Sequence, residues 1–405
     1  LYLYAANKYT FVWRKSVEKN KAKLEVRIQN ILSQIDEGIA HDNASESDQI
    51  SSAIDANSLR ERIDELNREN RERSKEEKTQ LKELEKHQEK LAEYEEKLDI
   101  LDHRNSYSKT DTDATFMRMK EDAMNNGQTK PGYNVQIGTE NQFITNFGLY
   151  NNPTDTTTLP SFLTLDEARL GRIPKVICAD SGYGSEENYA LLEQEAIQAY
   201  VKYNYFHKEQ HRPFKNNPFL IENLYYNPKD DYFVCPMGQH MLFVGQSTRT
   251  SQNGYKSYIR KYQAANCGGC PLKGQCSKAG GNRIIQVNHQ LAAYKRKARK
   301  LLLSEEGLKH RSRRPIEPEA VFGQMKYNMA YKRFRHRGFA KVQMDFAVFA
   351  MAFNLQKLFR SLNKAEKTLL DKLKENFLRL WMVSFYLYKT TLMSNEEFGE
   401  YQTVA

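Results

Sequence analysis

Pro174 to Tyr189 reads PKVICADSGYGSEENY, and the reading of this stretch decides the fold expected of the whole chain. Pro174–Ala179 is a short apolar run of the kind that forms a buried strand, and it stops at Asp180. Gly182 and Gly184 mark a turn. Ser185, Glu186 and Glu187 then supply the cap and first-turn acids of a helix over Glu186–Glu195, ahead of its apolar residues Tyr189, Leu191 and Leu192. Strand, turn and helix in this order set Asp180 beyond the carboxyl end of a strand, where α/β proteins open a crevice for ligands.

Working upstream, Gly132–Thr139 and Gln142–Tyr150 alternate as two strands joined at Glu140 and Asn141, and Thr156–Leu170 has helical spacing with Asp155 as its expected N-cap. Before them, residues 14–104 predict two long helices. Leu24, Ile28, Ile31 and Ile35 recur at intervals of four, three and four, and Leu84, Leu91 and Leu98 recur at seven, with Tyr94 and Leu101 beside them. These are seams of an antiparallel coiled-coil hairpin, turned through the polar tract Gly38–Ser58, and serving either as a dimerisation arm or as a spacer inserted in another domain. Downstream, residues 201–290 are rich in Asn, Tyr, Gly and Cys and form a separate insert. Helices follow at Gln290–Leu303, Pro318–Tyr331 and Val342–Leu362, the last with an apolar face through Phe346, Phe349, Phe353 and Leu358.

Composition sets limits on function. With 405 residues, 40% hydrophobic and 28% charged, part of the chain stands outside any core. No apolar run reaches the roughly 20 residues that span a bilayer, Phe346–Leu358 included, so no membrane segment is expected. Residues 1–15 lack the features of a secretory signal, and the chain starts at Leu1, which is read as processing or truncation. Five cysteines in so long a chain do not make a disulfide scaffold, which points to a reducing cytoplasm. Net charge is +10, but Gly281–Lys341 alone holds 16 Lys or Arg against four Glu, a larger excess than that of the whole chain. A basic stretch interleaved with Tyr and Phe favours a polyanion, since each cation that meets a phosphate releases a counterion.

Two acidic positions stand out. Asp180 ends the apolar strand, and Glu319 opens a helical run in which Glu319, Phe322 and Lys326 share one α-helical face. Either alone reads as a capping or dipole-matching acid. Together, a carboxylate at a strand end and another on a later helix are what a site for two Mg²⁺ (or Mn²⁺) ions about 3.5 to 4 Å apart requires for in-line phosphoryl transfer on DNA.

The stretches ANKYTFVW (residues 6–13), DATFM (113–117), KPGYNVQ (130–136), ADSGYGSEENY (179–189), EAVFGQMKYN (319–328), KRFRHRG (332–338) and FNLQKL (353–358) resemble, in this order, the DDE transposases of bacterial insertion sequences. The resemblance implies an RNase H-like core, with Asp180 as the second catalytic aspartate, Glu319 as the final glutamate and Lys326 as its companion lysine. Glu317 is a rival that lies nine rather than seven residues from Lys326. The family's first aspartate precedes a segment similar to Ala6–Trp13, but no aspartate here precedes Asp36. The expectation is therefore a carboxyl-terminal fragment that is inactive in strand cleavage alone, with Asp111, Asp113 or Glu140 as possible substitutes.

Cys235, Cys267, Cys270 and Cys276 give the spacing C-x31-C-x2-C-x5-C, which suits a closed, structural tetrahedral Zn²⁺ site, with His240 as a less favoured ligand. Cys178 reads as core. Lys332, Arg333, Arg335, His336 and Arg337 alternate around Phe334, and their charged groups can fork onto phosphates or stack on bases. No GxxxxGK[ST] or GxGxxG segment occurs, so motor and dinucleotide readings fall away.

The expected architecture is thus α/β, an RNase H-like mixed sheet flanked by helices, split by a helical hairpin and a Cys-rich zinc-binding insert. Its parts are 1–13 (first core strand region), 14–104 (hairpin), 105–200 (core), 201–290 (insert), 291–362 (core helices carrying Glu319) and a tail at 363–405. The expected function is DNA transposition by metal-dependent cleavage and strand transfer, on double-stranded transposon ends and as a homodimer. Two rivals are a non-catalytic DNA-binding remnant and a coiled-coil interaction protein with a zinc module.

Overall fold

The computed structural model describes residues 2–4, 10–42, 55–68, 74–119, 128–362, 377–378 and 381. It divides into two compact units, Leu1–Asp345 and Phe346–Ala405.

In the first unit, strands β1 (Tyr2–Tyr4) and β2 (Phe11–Trp13) precede helices α1 (Arg14–Asp42), α2 (Ala56–Arg68) and α3 (Lys75–Leu101). The seam residues Leu24, Ile28 and Ile35 of α1 and Leu84 and Leu91 of α3 are buried together, as the spacing predicts. Contacts from Lys21 to Glu95 and from Gln80 to Gln34 show that α1 and α3 run antiparallel. The arm nevertheless has three described helices rather than two. Leu59, Ile63 and Leu66 of α2 bury against the same seam, and α3 starts afresh at Ser74, whose side chain and that of Glu77 cap each other's backbone N–H. The cause is local: from Asn67 to Thr79 the sequence offers no apolar residue to a seam. Most of the expected Gly38–Ser58 turn, residues 43–54, lies outside the described residues.

Strands β3 (Ser106–Ser108), β4 (Thr115–Arg118), β5 (Thr129–Glu140) and β6 (Phe143–Tyr150) come next. The long strand β5 is the axis: it pairs antiparallel with β1, β4 and β6. The β5–β6 turn is made by Asn141 and Gln142, both at positive φ, the backbone a two-residue hairpin with matching twist requires. β2 pairs separately with β3.

Helix α4 (Leu159–Leu170), strand β7 (Val176–Ala179), helix α5 (Glu186–Gln194) and strand β8 (Gln198–Val201) form the second layer. β7 and β8 are parallel, in register from Val176 opposite Gln198 to Ala179 opposite Val201. They pack with α4, α5 and a later helix that carries Leu302 around Leu163, Leu192, Tyr200, Val201 and Leu302. Among the described residues no backbone ladder joins β7–β8 to the β5 sheet, so the expected single mixed sheet is in pieces. Side chains connect them instead: Asn134 and Gln136 of β5 donate to Asp155, ahead of α4, and Gln136 accepts from Tyr183, in the turn after β7.

The insert carries the short helix α6 (Arg212–Lys215), then β9 (Tyr225–Asn227), β10 (Tyr232–Val234), β11 (His240–Thr250), β12 (Lys256–Ala264), helix α7 (Lys273–Cys276) and β13 (Ile284–Val287). The five strands make one antiparallel sheet in the order β13-β12-β11-β10-β9, over a small core of Phe233, Met241, Tyr262 and Ile285. The tip of the β11–β12 hairpin returns to the second layer. Asn253 donates to Glu187 at 2.8 Å and Tyr255 to Glu186 at 3.3 Å, while Asn288 reaches Glu186 at 2.5 Å.

Helices α8 (His289–Leu303) and α9 (Glu305–Arg313) follow, capped by Asn288 and Ser304. Beyond α9 the chain stays helical but changes pitch: Pro315–Glu319 and Gln324–Asn328 are π-helical, and α10 (Ala320–Gly323) lies between them. Helix α11 (Phe339–Ser361) crosses from the first unit into the second. Within the second unit the rings of Phe346, Phe349 and Phe353 form a ladder with centroids 6.1 and 6.5 Å apart. No helix among the described residues is long and apolar enough to cross a membrane.

Candidate active site

Asp180 leaves β7 in an extended conformation and starts a 3-10 turn at Ser181–Tyr183, yet its side chain makes no capping bond to that turn. It faces two cations. Arg314 Nη2 lies 3.2 Å from one carboxylate oxygen and Lys202 Nζ, just past β8, lies 3.7 Å from the other. The same Arg314 donates through Nη1 to Glu319 Oε1 at 2.8 Å. One guanidinium therefore holds both expected catalytic acids, and their bonded oxygens lie no more than about 8 Å apart, the span of two contacts and the guanidinium fork. Both carboxylates are about half exposed, whereas the Arg314 side chain is only 16% exposed. The arginine lies beneath the pair, and the acids meet solvent.

The π-helical turn explains which glutamate joins Asp180. Pro315 and Pro318 both lack an N–H, which weakens the α-helical ladder and suits a wider turn. Glu317 points to the β5–β6 hairpin and accepts the Gln142 backbone N–H at 2.7 Å, while Gln142 Nε2 donates to the Ile316 carbonyl at 2.9 Å. Glu319 points to Arg314. The two rivals are thus engaged in different work, one on the hairpin and one beside Asp180. The wider pitch also removes the expected α-helical alignment of Glu319, Phe322 and Lys326: only Ala320–Gly323 between them is α-helical, and Lys326 lies in the second π-helical segment.

Asp111 and Asp113 are held by the start of α11. The Tyr133 hydroxyl donates to Asp111 at 2.9 and 3.1 Å, and Gly338 N donates to it at 3.3 Å, while Phe339 N donates to Asp113 at 2.8 Å. Glu140 is exposed at the end of β5, beside the turn that Glu317 engages. Among the described residues, no group of three or more His, Cys, Asp or Glu could hold a metal ion, so no third acid completes the Asp180–Glu319 pair as a ligand cluster.

A further carboxylate was not legible as part of the site. Asp155, expected to cap α4, leaves that position to Thr158 and instead accepts from Asn134 Nδ2 and Gln136 Nε2, both at 2.7 Å. Thr156 donates to the Gly182 carbonyl at 3.2 Å, and the Tyr183 hydroxyl donates to Gln136. These bonds fasten the Asp180 turn to the β5 sheet. Burial, with the nearby Asp155 charge, pushes the Tyr183 phenol far above the ordinary range, so it remains a donor. The signal was the pair Asn134 and Gln136, two amides on one face of a buried strand that needed a partner.

Lys332, Arg333, Arg335, His336 and Arg337 are all exposed, around a Phe334 that is 3% exposed and packs edge-on against Tyr133 and Tyr331. Asp345 steadies the loop, accepting the Arg335 N–H at 3.2 Å and lying 3.6 Å from His336 Nδ1. The anchor is apolar and the five basic side chains around it are exposed.

The sulfurs of the insert are gathered but not clustered as ligands. Cys235, Cys267, Cys270 and Cys276 line one cavity of about 20 Å³, and all are free thiols. Arg283, 7% exposed, donates through Nη1 to Cys276 Sγ at 3.0 Å and through its backbone N–H to Cys267 Sγ at 3.4 Å. The absence of a metal-holding group among the described residues applies to these four as well. His240 stacks on Tyr232 with centroids 4.0 Å apart, away from the cavity lining. Cys178 is partly buried against the β7–β8 core, as expected, and burial raises its thiol pKa.

Residues 234–359 match the family model described as a transposase DDE domain. The span includes the four clustered cysteines, Arg314, Glu319 and the basic loop, but not Asp180. No curated protein and no solved structure matches the chain.

Proposed function

On the premise, supported by the transposase DDE domain match, that the chain is an insertion-sequence DDE transposase, we propose that Asp180 and Glu319 are two of its catalytic carboxylates. The observation that carries this reading is their joint engagement by Arg314, although the two acids lie 139 residues apart in sequence. A pair of half-exposed carboxylates fits Mg²⁺ or Mn²⁺, because such ions are commonly held by one or two carboxylates together with substrate phosphates. When bound, the ions would supply the activated oxygen nucleophile and the stabilised leaving oxygen of phosphodiester cleavage and strand transfer. The chain's own residues do the rest. Asp180 and Glu319, each about half exposed, hold the metal, Lys326 contacts DNA near the scissile phosphate, and Lys332, Arg333, Arg335 and Arg337 grip the backbone of double-stranded transposon ends.

The test is Mn²⁺ binding and DNA nicking by the whole chain. Asp180→Asn and Glu319→Gln are each expected to weaken Mn²⁺ binding by tenfold or more and to abolish nicking wherever the parent shows it. Unchanged Mn²⁺ binding in both variants would remove the two acids from the active site. A homodimer belongs to the same reading, and sedimentation of the purified chain tests it.

The cysteines carry a second reading, favoured by Arg283. A buried guanidinium favours a negative partner, and the Arg283 side chain donates to Cys276 Sγ at 3.0 Å and to the Phe219 carbonyl at 2.6 Å. In this reading the four sulfurs close on a structural Zn²⁺ as thiolates, which the cavity has room to admit. Elemental analysis showing one zinc per chain, lost in Cys267→Ser, supports it, and a metal-free folded insert excludes it.

A further inference from the structure

We infer that Arg314 is a positioning residue of the carboxylate pair: a strut that stays beneath Asp180 and Glu319 and fixes their separation when divalent metal binds above them. The inference rests on the reading of that pair as metal ligands. Three observations carry it further than an ordinary surface ion pair.

The first is direction. The Arg314 side chain is 16% exposed while Asp180 is 50% and Glu319 56% exposed, so the guanidinium reaches the acids from the protein side. Arg314 takes one oxygen of each carboxylate, and the other Asp180 oxygen lies 3.7 Å from Lys202 Nζ, so the fork touches each acid at a single oxygen. The second is shape. Arg314 uses Nη2 for Asp180 and Nη1 for Glu319, so the fixed width of the fork sets the spacing of the two acids, a task the single point charge of a lysine cannot do. The third is support. Arg314 lies in helical backbone at the junction of α9 and the π-helical turn, with its N–H bonded to the His310 carbonyl at 3.2 Å, so the strut rises from a braced base.

A guanidinium here also brings positive charge close to any metal, and on charge alone it would oppose binding. The strut and the competitor differ in sign when the fork is removed at constant charge. Arg314→Lys keeps the cation and loses the shape, so Mn²⁺ affinity measured by calorimetry on the full chain is expected to fall about tenfold, the lower end of what outer-shell partners of metal ligands cost. Unchanged or tighter Mn²⁺ binding in Arg314→Lys overturns the inference. A second measurement needs no variant: in a crystal structure of the wild-type chain with Mg²⁺, Arg314 should still span both carboxylates, and a guanidinium swung away from either one overturns the inference. Failure of the underlying reading looks different, because then Asp180→Asn and Glu319→Gln leave Mn²⁺ binding where it was.

Discussion

Gly184 lies against the Lys202 carbonyl so closely that a β-carbon at position 184 would sit 2.3 Å from the Lys202 oxygen and 2.7 Å from the Tyr203 Cα. The atoms it would meet are backbone, which cannot swing aside as a side chain would. The turn after Asp180 and the segment after β8 are therefore in contact at a point where only glycine fits, and Lys202 is the residue that also faces Asp180.

Gly184→Ala should accordingly destabilise the first unit by about 2 kcal/mol, the usual range for overpacking a tight contact. Chemical denaturation measures the loss. Gly171→Ala is a poor control because its φ is positive, whereas Gly274 has open space around its α-carbon and Gly274→Ala should change little.

Glu317 and Glu319 should separate cleanly by assay. Glu317→Ala removes the acceptor of the Gln142 N–H and is expected to cost about 1 to 2 kcal/mol of stability, with Mn²⁺ affinity kept. Glu319→Ala should show the reverse, a small effect on unfolding and a large one on metal binding. Both variants losing metal to the same extent would mean that the hairpin contact and the acid pair are not independent.

The basic loop makes an electrostatic prediction. Each of Arg333→Ala, Arg335→Ala and Arg337→Ala should lower the slope of log affinity for duplex DNA against log salt by about 0.9, one phosphate contact each, and weaken binding alike on unrelated sequences. A slope unchanged in all three would place the DNA elsewhere. Phe334→Ala should instead act through folding, since it empties a buried site beside Tyr133.

The insert should be sensitive to mild acid. His289 shares a hydrogen bond of 2.8 Å with the Tyr262 hydroxyl, and burial, reinforced by Arg260, lowers its pKa below the ordinary 6.5. The native state then binds the proton less readily than the unfolded state. The stabilisation is whole above pH 6.5 and is lost as pH falls through 6.5 toward the depressed folded value. Unfolding of the wild-type chain at pH 7.5 and pH 5.5, followed beside His289→Gln, measures this. The variant should lose much of the difference between the two pH values.

Much of this arrangement was legible because it depends on local pattern. Leu24, Ile28, Ile35, Leu84 and Leu91 share one core, Ser185 caps its helix and a strand stops before Asp180, as spacing and short-range hydrogen bonding require. Leu98 and Leu101, however, join a second core with Val12 and Tyr107, and the strand expected to be buried is only partly so. What was not legible depends on partners far along the chain. Asp155 looked like a helix cap because Asn134 and Gln136, its actual donors, lie about 20 residues away on a strand whose polar face gives no hint of direction. Asp111 and Asp113 looked available for metal because the amides of Gly338 and Phe339 that hold them are more than 220 residues distant. The π-helical turns escaped because a helical wheel assumes one pitch, and two prolines near one glutamate are enough to change it. Arg314 was one cation in a basic stretch, and nothing in its neighbours tells that it meets two acids.

The bonds from the β11–β12 hairpin tip to Glu186 and Glu187 change what kind of appendage the insert is. Glu186 is 7% exposed and lies six residues after Asp180, at the start of the helix that the Asp180 turn feeds. Opening the insert therefore unpins the first turn of that helix, and insert and turn share one cooperative unit rather than fraying apart. Protection from hydrogen exchange gained in the hairpin is gained at the Asp180 turn as well.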